Sequence, residues 1–466
     1  MLEKKSNIPL WKRQFWRLLY KIYASNKGIS SLLRNRITPL GYIVAIALIF
    51  AMSLRLGSNE NTLFGFIACI MAIFIVSLFS VFFRRGSLSI KRKLPRMGTI
   101  GQECIYTIEV TNDSKMPISS AYLRELPSRQ VPTEEVFVYS VEPGEEERNA
   151  FDRLFVVYRW MWLTESKTSF YSIDSEPVAL AGEKSTSLKV RIVPRRRGVL
   201  PLSNMKLILP DPLFLFQRCK EVKQSEDSII IFPKRYRIRN LTLIGEAHNQ
   251  VGGEGQSNQV GQSSEFISLR DYRSGDPLKH LDWKSWAKTG KPVVRQYEDV
   301  FYPRHGLVLD TGVHPSKHEE FEEAISVAAS FACSIDTNEG LLDLVFIQQG
   351  TQVLTVGKGV SPLDEMMEAL ACAEMQINPE WNELTKQVLQ VAPELSSCIM
   401  VFAEWSEERA KLAGMVAATG TSTLVFLLSS DVEKSQAEIA QHGVEGGVKI
   451  LNVGKVQEDL DRALEP

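Results

Sequence analysis

GLVLDTGVHPSKHEEFEEAISVAASFACSID, residues 306–336, joins a short apolar strand to an amphipathic helix. The strand GLVLD (306–310) ends on Asp310. From about Lys317, Phe321, Ala324, Ile325, Ala328, Phe331, Ala332 and Ile335 recur at three- and four-residue intervals, giving a helix one face to pack on a sheet. Glu319, Glu320, Glu322 and Glu323 occupy the first turns, where the helix dipole favours anions. Further apolar runs follow at LLDLVFIQ (341–348), TQVLTVG (351–357), SCIMVFAEW (397–405), STLVFLLSS (422–430) and VKILNVG (448–454), with helical stretches between them. Strands alternating with helices predict a mostly parallel, doubly wound, Rossmann-type α/β domain over residues 305–466. The Gln-Gly turn before Thr351 predicts one antiparallel edge hairpin in that sheet.

In such a sheet, ligands sit beyond the carboxyl ends of the strands, which singles out Asp310. A metal ion-dependent adhesion site needs Asp-x-Ser-x-Ser there, because a hard cation takes a carboxylate and hydroxyl oxygens from one loop. The chain has Asp310-Thr311-Gly312-Val313-His314, with Gly and His at both serine positions. Thr311 offers a hydroxyl out of register, and Glu404 at the end of the 397–405 run leaves a residual cation role open. The expectation is a degenerate site at Asp310 and Thr311, with no metal and no cofactor.

Upstream lies the segment 265–304, which begins EFISLRDYRSGDPLKHLDWKSWAKTGKPVVRQYE. Charged groups alternate here with Phe266, Tyr272, Trp283 and Trp286. Tryptophan, tyrosine and arginine supply most interface hot spots, so Arg270, Tyr272, Asp276, His280, Asp282, Trp283 and Arg295 are expected to contact a partner. The enzymatic alternative, a hydrolase or transferase, pairs His280 with Asp282 or Asp276 as a general base. No nucleophile stands in a recognisable elbow or Cys/His arrangement, and no catalytic residue is assigned. A third possibility is that these polar groups satisfy one another.

Residues 241–264 are rich in Gly, Gln, Ser and Asn and are expected to be a flexible linker. Residues 86–240 carry short alternating runs such as ECIYTIEVTNDS, VFVYSVEPGEEE and MKLILPDP, broken by turn residues; they predict a β-rich, sandwich-like domain. Two uncharged runs, Pro39 to Leu54 and Thr62 to Phe83, predict a transmembrane helical hairpin over residues 38–85. Lys and Arg flank it on both sides, so a two-helix, multi-pass protein of the cell membrane with both termini in the cytoplasm is expected. Residues 1–37, basic and aromatic, are expected to lie as an amphipathic helix on the inner leaflet of the bilayer.

At 466 residues the chain holds more than one domain, and its formal net charge of −1 and pI near 6.6 lack the basic excess of a nucleic-acid binder. The six cysteines are scattered, without a CxxC pair, which argues against a disulfide scaffold or structural zinc.

The pattern Arg-x-Tyr-x-x-Gly-Asp … Asp-Trp at Arg270, Tyr272, Gly275, Asp276, Asp282 and Trp283 resembles the signature of the domain of unknown function family numbered 58. Arg197-Gly198 and Asp211-Pro-Leu-Phe-Leu-Phe216 are similar to two further marks of that family, with Leu213 and Phe214 departing from its usual Phe-Gly. The resemblance implies a multi-domain protein: membrane hairpin, β-rich region and von Willebrand factor A-like domain. It further implies association with MoxR-type AAA+ ATPases and transglutaminase-like membrane proteins. On that footing the expected function is a non-enzymatic, membrane-anchored adaptor for a cytoplasmic partner, in membrane or envelope complex assembly.

Overall fold

Alternation of apolar side chains along short strands builds the first core. The computed structural model describes residues 9–25, 36–55, 61–83, 88–115, 117–127, 131–142, 144–238, 266–276, 278–297, 304–335, 341–347, 351–357, 363–376, 381–442 and 447–465. Two compact units contain them, Met1–Arg235 with Met367–Ala373, and Tyr236–Met366 with Glu374–Pro466. The linker expected at 241–264 lies outside the described residues.

In the first unit the strands are β1 (Leu88–Lys93), β2 (Met97–Thr99), β3 (Cys104–Asn112), β4 (Ile118–Leu126), β5 (Phe170–Ile173), β6 (Val178–Leu180), β7 (Ser185–Pro194), β8 (Gly198–Pro210) and β9 (Gln217–Phe232). They form one sheet of order β1-β3-β7-β5 and another of order β2-β9-β8-β4-β6. Cys104, Tyr106, Ile108 and Val110 of β3 point inward at every second position, as the pleat requires, and meet Leu123, Leu202, Met205 and Leu207 of the other sheet in one core. An ionic clamp crosses this core. Arg92 on β1 donates to Glu125 on β4 at 2.7 Å and to Asp227 on β9 at 3.3 Å, while the Tyr106 hydroxyl on β3 donates to Glu125 at 2.8 Å. Burial pushes the Glu125 carboxyl above its ordinary range, and the Arg92 charge opposes the shift.

This region is not wholly β. Helices Glu134–Tyr139, Ala150–Phe155 and Val157–Ser166 are inserted between β4 and β5. The run VFVY (136–139) is helical because Thr133 caps it through the Val136 amide and Phe137 and Val138 are buried in one cluster with Trp16 and Leu19 of the helix Leu10–Ser25. That first helix was expected on lipid; its aromatic face is instead packed on protein. Trp16 Nε1 donates to the Leu154 carbonyl at 3.0 Å, Tyr23 to Phe155 at 2.8 Å, and the Arg159 guanidinium lies 4.4 Å from the Trp16 ring.

The expected fold class and location are corrected at the N terminus. Among the described residues no helix is long and apolar enough to cross a membrane. The transmembrane hairpin, and with it the two-pass cell-membrane placement with cytoplasmic termini, is therefore withdrawn. Helix Pro39–Arg55 has 17 residues. At 1.5 Å per residue that is about 25 Å, short of a hydrocarbon layer of about 30 Å. Helix Asn61–Phe83 packs one face on protein: the Ser77 hydroxyl is buried on the Asp211 carboxylate, Phe74 meets Phe216 edge-on at 4.7 Å, and Val81 joins Leu215 and Phe216 in one cluster. Ile46, Ile49, Phe50, Val76 and Phe79 on the two helices stay exposed.

The Asp-Pro-Leu-Phe-Leu-Phe motif forms this junction. Asp211 folds the turn by accepting from the Leu213 and Phe216 amides at 3.1 and 2.8 Å, and Thr38 donates its hydroxyl to the carbonyls of Phe214 and Leu215. Helix Pro39–Arg55 approaches so closely that a Cβ on Gly41 would lie 2.1 Å from the Leu215 carbonyl oxygen. Gly41→Ala is expected to undock the hairpin while leaving the sandwich folded. Hydrogen exchange would show it as lost amide protection at Thr38 and Tyr42, with protection of β3 and β8 retained; unchanged protection at Thr38 and Tyr42 would refute it.

In the second unit β10 (Phe266–Asp271) pairs antiparallel with β11 (Val293–Tyr297). Strands β12 (Arg304–Leu309), β13 (Leu341–Ile347), β14 (Thr351–Gly357), β15 (Ser397–Phe402), β16 (Ser422–Ser429) and β17 (Val448–Asn452) form a sheet of order β14-β13-β12-β15-β16-β17. Only β14 runs antiparallel to its neighbour. Every residue of β15 is buried, the signature of a central parallel strand covered on both faces. Helix His318–Ser334 covers one face with Phe321, Ala324, Ile325, Ala328, Phe331 and Ala332. Chain direction from β12 diverges to β13 on one side and β15 on the other, which makes their carboxyl ends the topological switch point of the sheet.

Candidate functional site

The segment expected to dock a partner is a closed hairpin. Arg270 at the end of β10 holds Asp276 through two bonds, Nη1 to Oδ2 at 2.7 Å and Nη2 to Oδ1 at 2.8 Å, and Asp276 also accepts from the Arg273 amide at 2.8 Å. The two-toothed guanidinium fixes the turn, and its bonds hold the Asp276 carboxyl down at about 2. Asp282 caps the helix Trp283–Thr289, accepting from the Lys284 and Ser285 amides at 3.0 and 3.3 Å through one oxygen and from Arg295 on β11 at 3.1 Å through the other. At the far end Gly290, with φ 71°, closes the helix by donating to the Trp286 carbonyl at 2.9 Å. Tyr272 is half-buried, its amide on the Pro292 carbonyl at 2.9 Å; His280 ends the short turn Leu278–His280 and is half-buried too.

Six of the seven expected contact residues thus lie in a turn, cap or ion pair of the hairpin itself. Trp283 differs. It is 65% exposed, and its ring stacks on Trp286 at 5.2 Å with the planes 22° apart. A large aromatic surface is held rigid and left uncovered by the described residues. Both carboxylate oxygens of Asp282 are engaged, so the His280 and Asp282 base pair of the enzymatic alternative gains no support from the geometry.

The switch point at the carboxyl ends of β12 and β15 is built around another charge. Asp310 is fully buried; its Oδ1 accepts from the Gly312 amide at 2.8 Å and its Oδ2 from Arg409 Nε at 2.8 Å. Arg409, on helix Glu407–Ala418, also donates to the Gly312 carbonyl at 2.7 Å and the Ser406 hydroxyl at 3.0 Å, with Glu404 at 4.0 Å and the Trp381 ring at 4.7 Å. A guanidinium therefore occupies the centre of the oxygen set that a hard cation would use. Thr311 is buried, and its carbonyl accepts from the Gln376 amide at 2.7 Å. Burial pushes the Asp310 carboxyl up to about 6, with Arg409 restraining the rise. Among the described residues no three His, Cys, Asp or Glu side chains converge to hold a metal. Arg409 had no mark in the sequence, since nothing local ties it to a partner 99 positions away.

Residues 268–396 match the family model described as Protein of unknown function DUF58. The chain is similar to the uncharacterized protein YeaD of Bacillus subtilis (strain 168), 24% identical over 215 residues that make up 46% of this chain and 52% of that protein. It thus spans about half the length of that relative. Among solved structures, the CARDB domain of a Pyrococcus furiosus protein, in complex with di-metal ions, is matched over 32% of this chain and 96% of that one, at 10% identity and a TM-score of 0.16. A β-glucosidase of Listeria innocua is matched over 31% and 16%, at 9% identity and a TM-score of 0.15. At such scores neither likeness bears on the fold or the site.

Proposed function

We propose that this chain, a member of the family described as Protein of unknown function DUF58 by its match over residues 268–396, is a non-enzymatic adaptor that binds a protein partner through the hairpin Phe266–Tyr297. The carrying observation is the uncovered Trp283 ring stacked on Trp286, on a helix capped at both ends. Rigid aromatics of this kind bury much area at little entropic cost and anchor interfaces. Arg270, Asp276, Asp282 and Arg295 position that surface by holding the turn and the cap. The first partner to test is the MoxR-type AAA+ ATPase that the sequence resemblance points to, and the second is a transglutaminase-like protein.

Calorimetric titration of the full chain with the MoxR-type ATPase of the same organism tests this. Trp283→Ala is expected to weaken binding by about 2 kcal/mol, or about 30-fold, with unchanged circular dichroism. A folded Trp283→Ala variant that binds with wild-type affinity would overturn the assignment of the hairpin as the docking site.

A further inference from the structure

We infer that the partner segment received by this hairpin is acidic and carries an aromatic or large aliphatic side chain for the tryptophan stack. The inference rests on the docking reading and specifies its chemistry. Between Phe266 and Tyr297 seven Lys and Arg residues face three Asp residues, in a chain whose formal net charge is −1. Two of the cations, Arg270 and Arg295, are neutralised by Asp276 and Asp282. Arg273, Lys279, Lys284, Lys288 and Lys291 are exposed, and no carboxylate among the described residues lies at ion-pair distance from them. Asp271, also exposed, is the one acidic group of the hairpin outside these pairs.

The helix dipole accounts for Lys288 in the last turn but not for Lys284 in the first, where it disfavours a cation. Lys284 and Lys288 stand four residues apart on a helix of seven, where like charges repel and weaken the helix. At about 100° per residue both lysines stand on the exposed strip beside Trp283, on the side away from Trp286. An acidic chain laid along the helix would neutralise the lysines and place its apolar side chain on the exposed indole, combining steering charge with a buried anchor. The exposed Leu278 extends the apolar area.

The test measures binding of the full chain to three immobilised probes: a random copolymer of glutamate and tyrosine, poly-glutamate, and duplex DNA. The copolymer is expected to bind more tightly than poly-glutamate and duplex DNA, and to weaken as salt rises. Lys284→Glu with Lys288→Glu is expected to weaken copolymer binding about tenfold and flatten its salt dependence, because exposed charges at an interface act through steering. Trp283→Ala is expected to reduce the copolymer to the level of poly-glutamate. Duplex DNA binding more tightly than the copolymer, or a charge-reversed variant that binds it unchanged, would overturn the inference. The ATPase titration separates the two claims. If Trp283→Ala abolishes ATPase binding while the charge-reversed variant retains it at low and high salt, the docking reading stands and the acidic partner falls. If neither variant changes it, both fall.

Discussion

Arg409→Ala is expected to destabilise the α/β unit by about 3–5 kcal/mol, the cost of leaving a buried carboxylate without its counter-charge. Asp310 and the Arg409 side chain are 0% and 5% exposed, so water does not replace the lost partner. Denaturant unfolding read by hydrogen exchange at Leu307 to Leu309 isolates this unit from the sandwich. The pH dependence carries a second signature. The Asp310 carboxyl is raised from 3.8 to about 6 in the folded chain, so the folded state holds the proton more tightly than the unfolded state. Its contribution to stability is fully present below pH 3.8 and is lost as pH rises through about 6. Removing Arg409 removes the restraint on that shift, and the loss should move to higher pH. A variant with wild-type stability and an unmoved pH profile would show that the guanidinium does not balance Asp310.

Glu125→Ala is expected to destabilise the sandwich by about 3 kcal/mol, since it leaves Arg92 in the core with the more distant Asp227 as its remaining carboxylate. The Arg92 and Glu125 side chains are both 0% exposed, and Glu125 also accepts from Tyr106. Glu125→Gln retains an acceptor for the Tyr106 hydroxyl and should cost less than Glu125→Ala. Hydrogen exchange of β3 and β8 would report both. Equal stability of Glu125→Ala and the parent would mean that the clamp between the sheets adds nothing.

Local pattern made the α/β sheet legible. Its six strands are continuous apolar runs bounded by turn residues, and each lies within the stretch read from sequence apart from small shifts at its ends. From sequence, Arg270, Asp276 and Asp282 read as partner contacts and were not assigned to the turn and cap they form, although Arg270 and Asp276 are six residues apart and Asp282 caps the helix that begins at the next residue. What else escaped was non-local. VFVYSV alternates like a strand, and the helical state of its first four residues depends on Trp16 and Leu19, more than a hundred positions earlier. The apolar runs 39–54 and 62–83 resembled membrane spans because composition does not reveal that Ser77 meets Asp211, 134 positions away. The degenerate loop at Asp310 showed that the serines were missing; it did not show that Arg409 stands among the oxygens.

That difference supports the docking proposal. Beside Asp310 the charges are closed on one another, whereas the hairpin leaves the Trp283 ring and its lysines uncovered by the described residues. The most direct measurement is hydrogen exchange of the full chain with and without the MoxR-type ATPase. The docking assignment predicts new protection concentrated at Trp283 to Thr289 and the flanking turn, with amides of Asp310 to Val313 unchanged. Protection confined to the loop Asp310 to Val313, with the Trp283 helix exchanging as in the free chain, would contradict it.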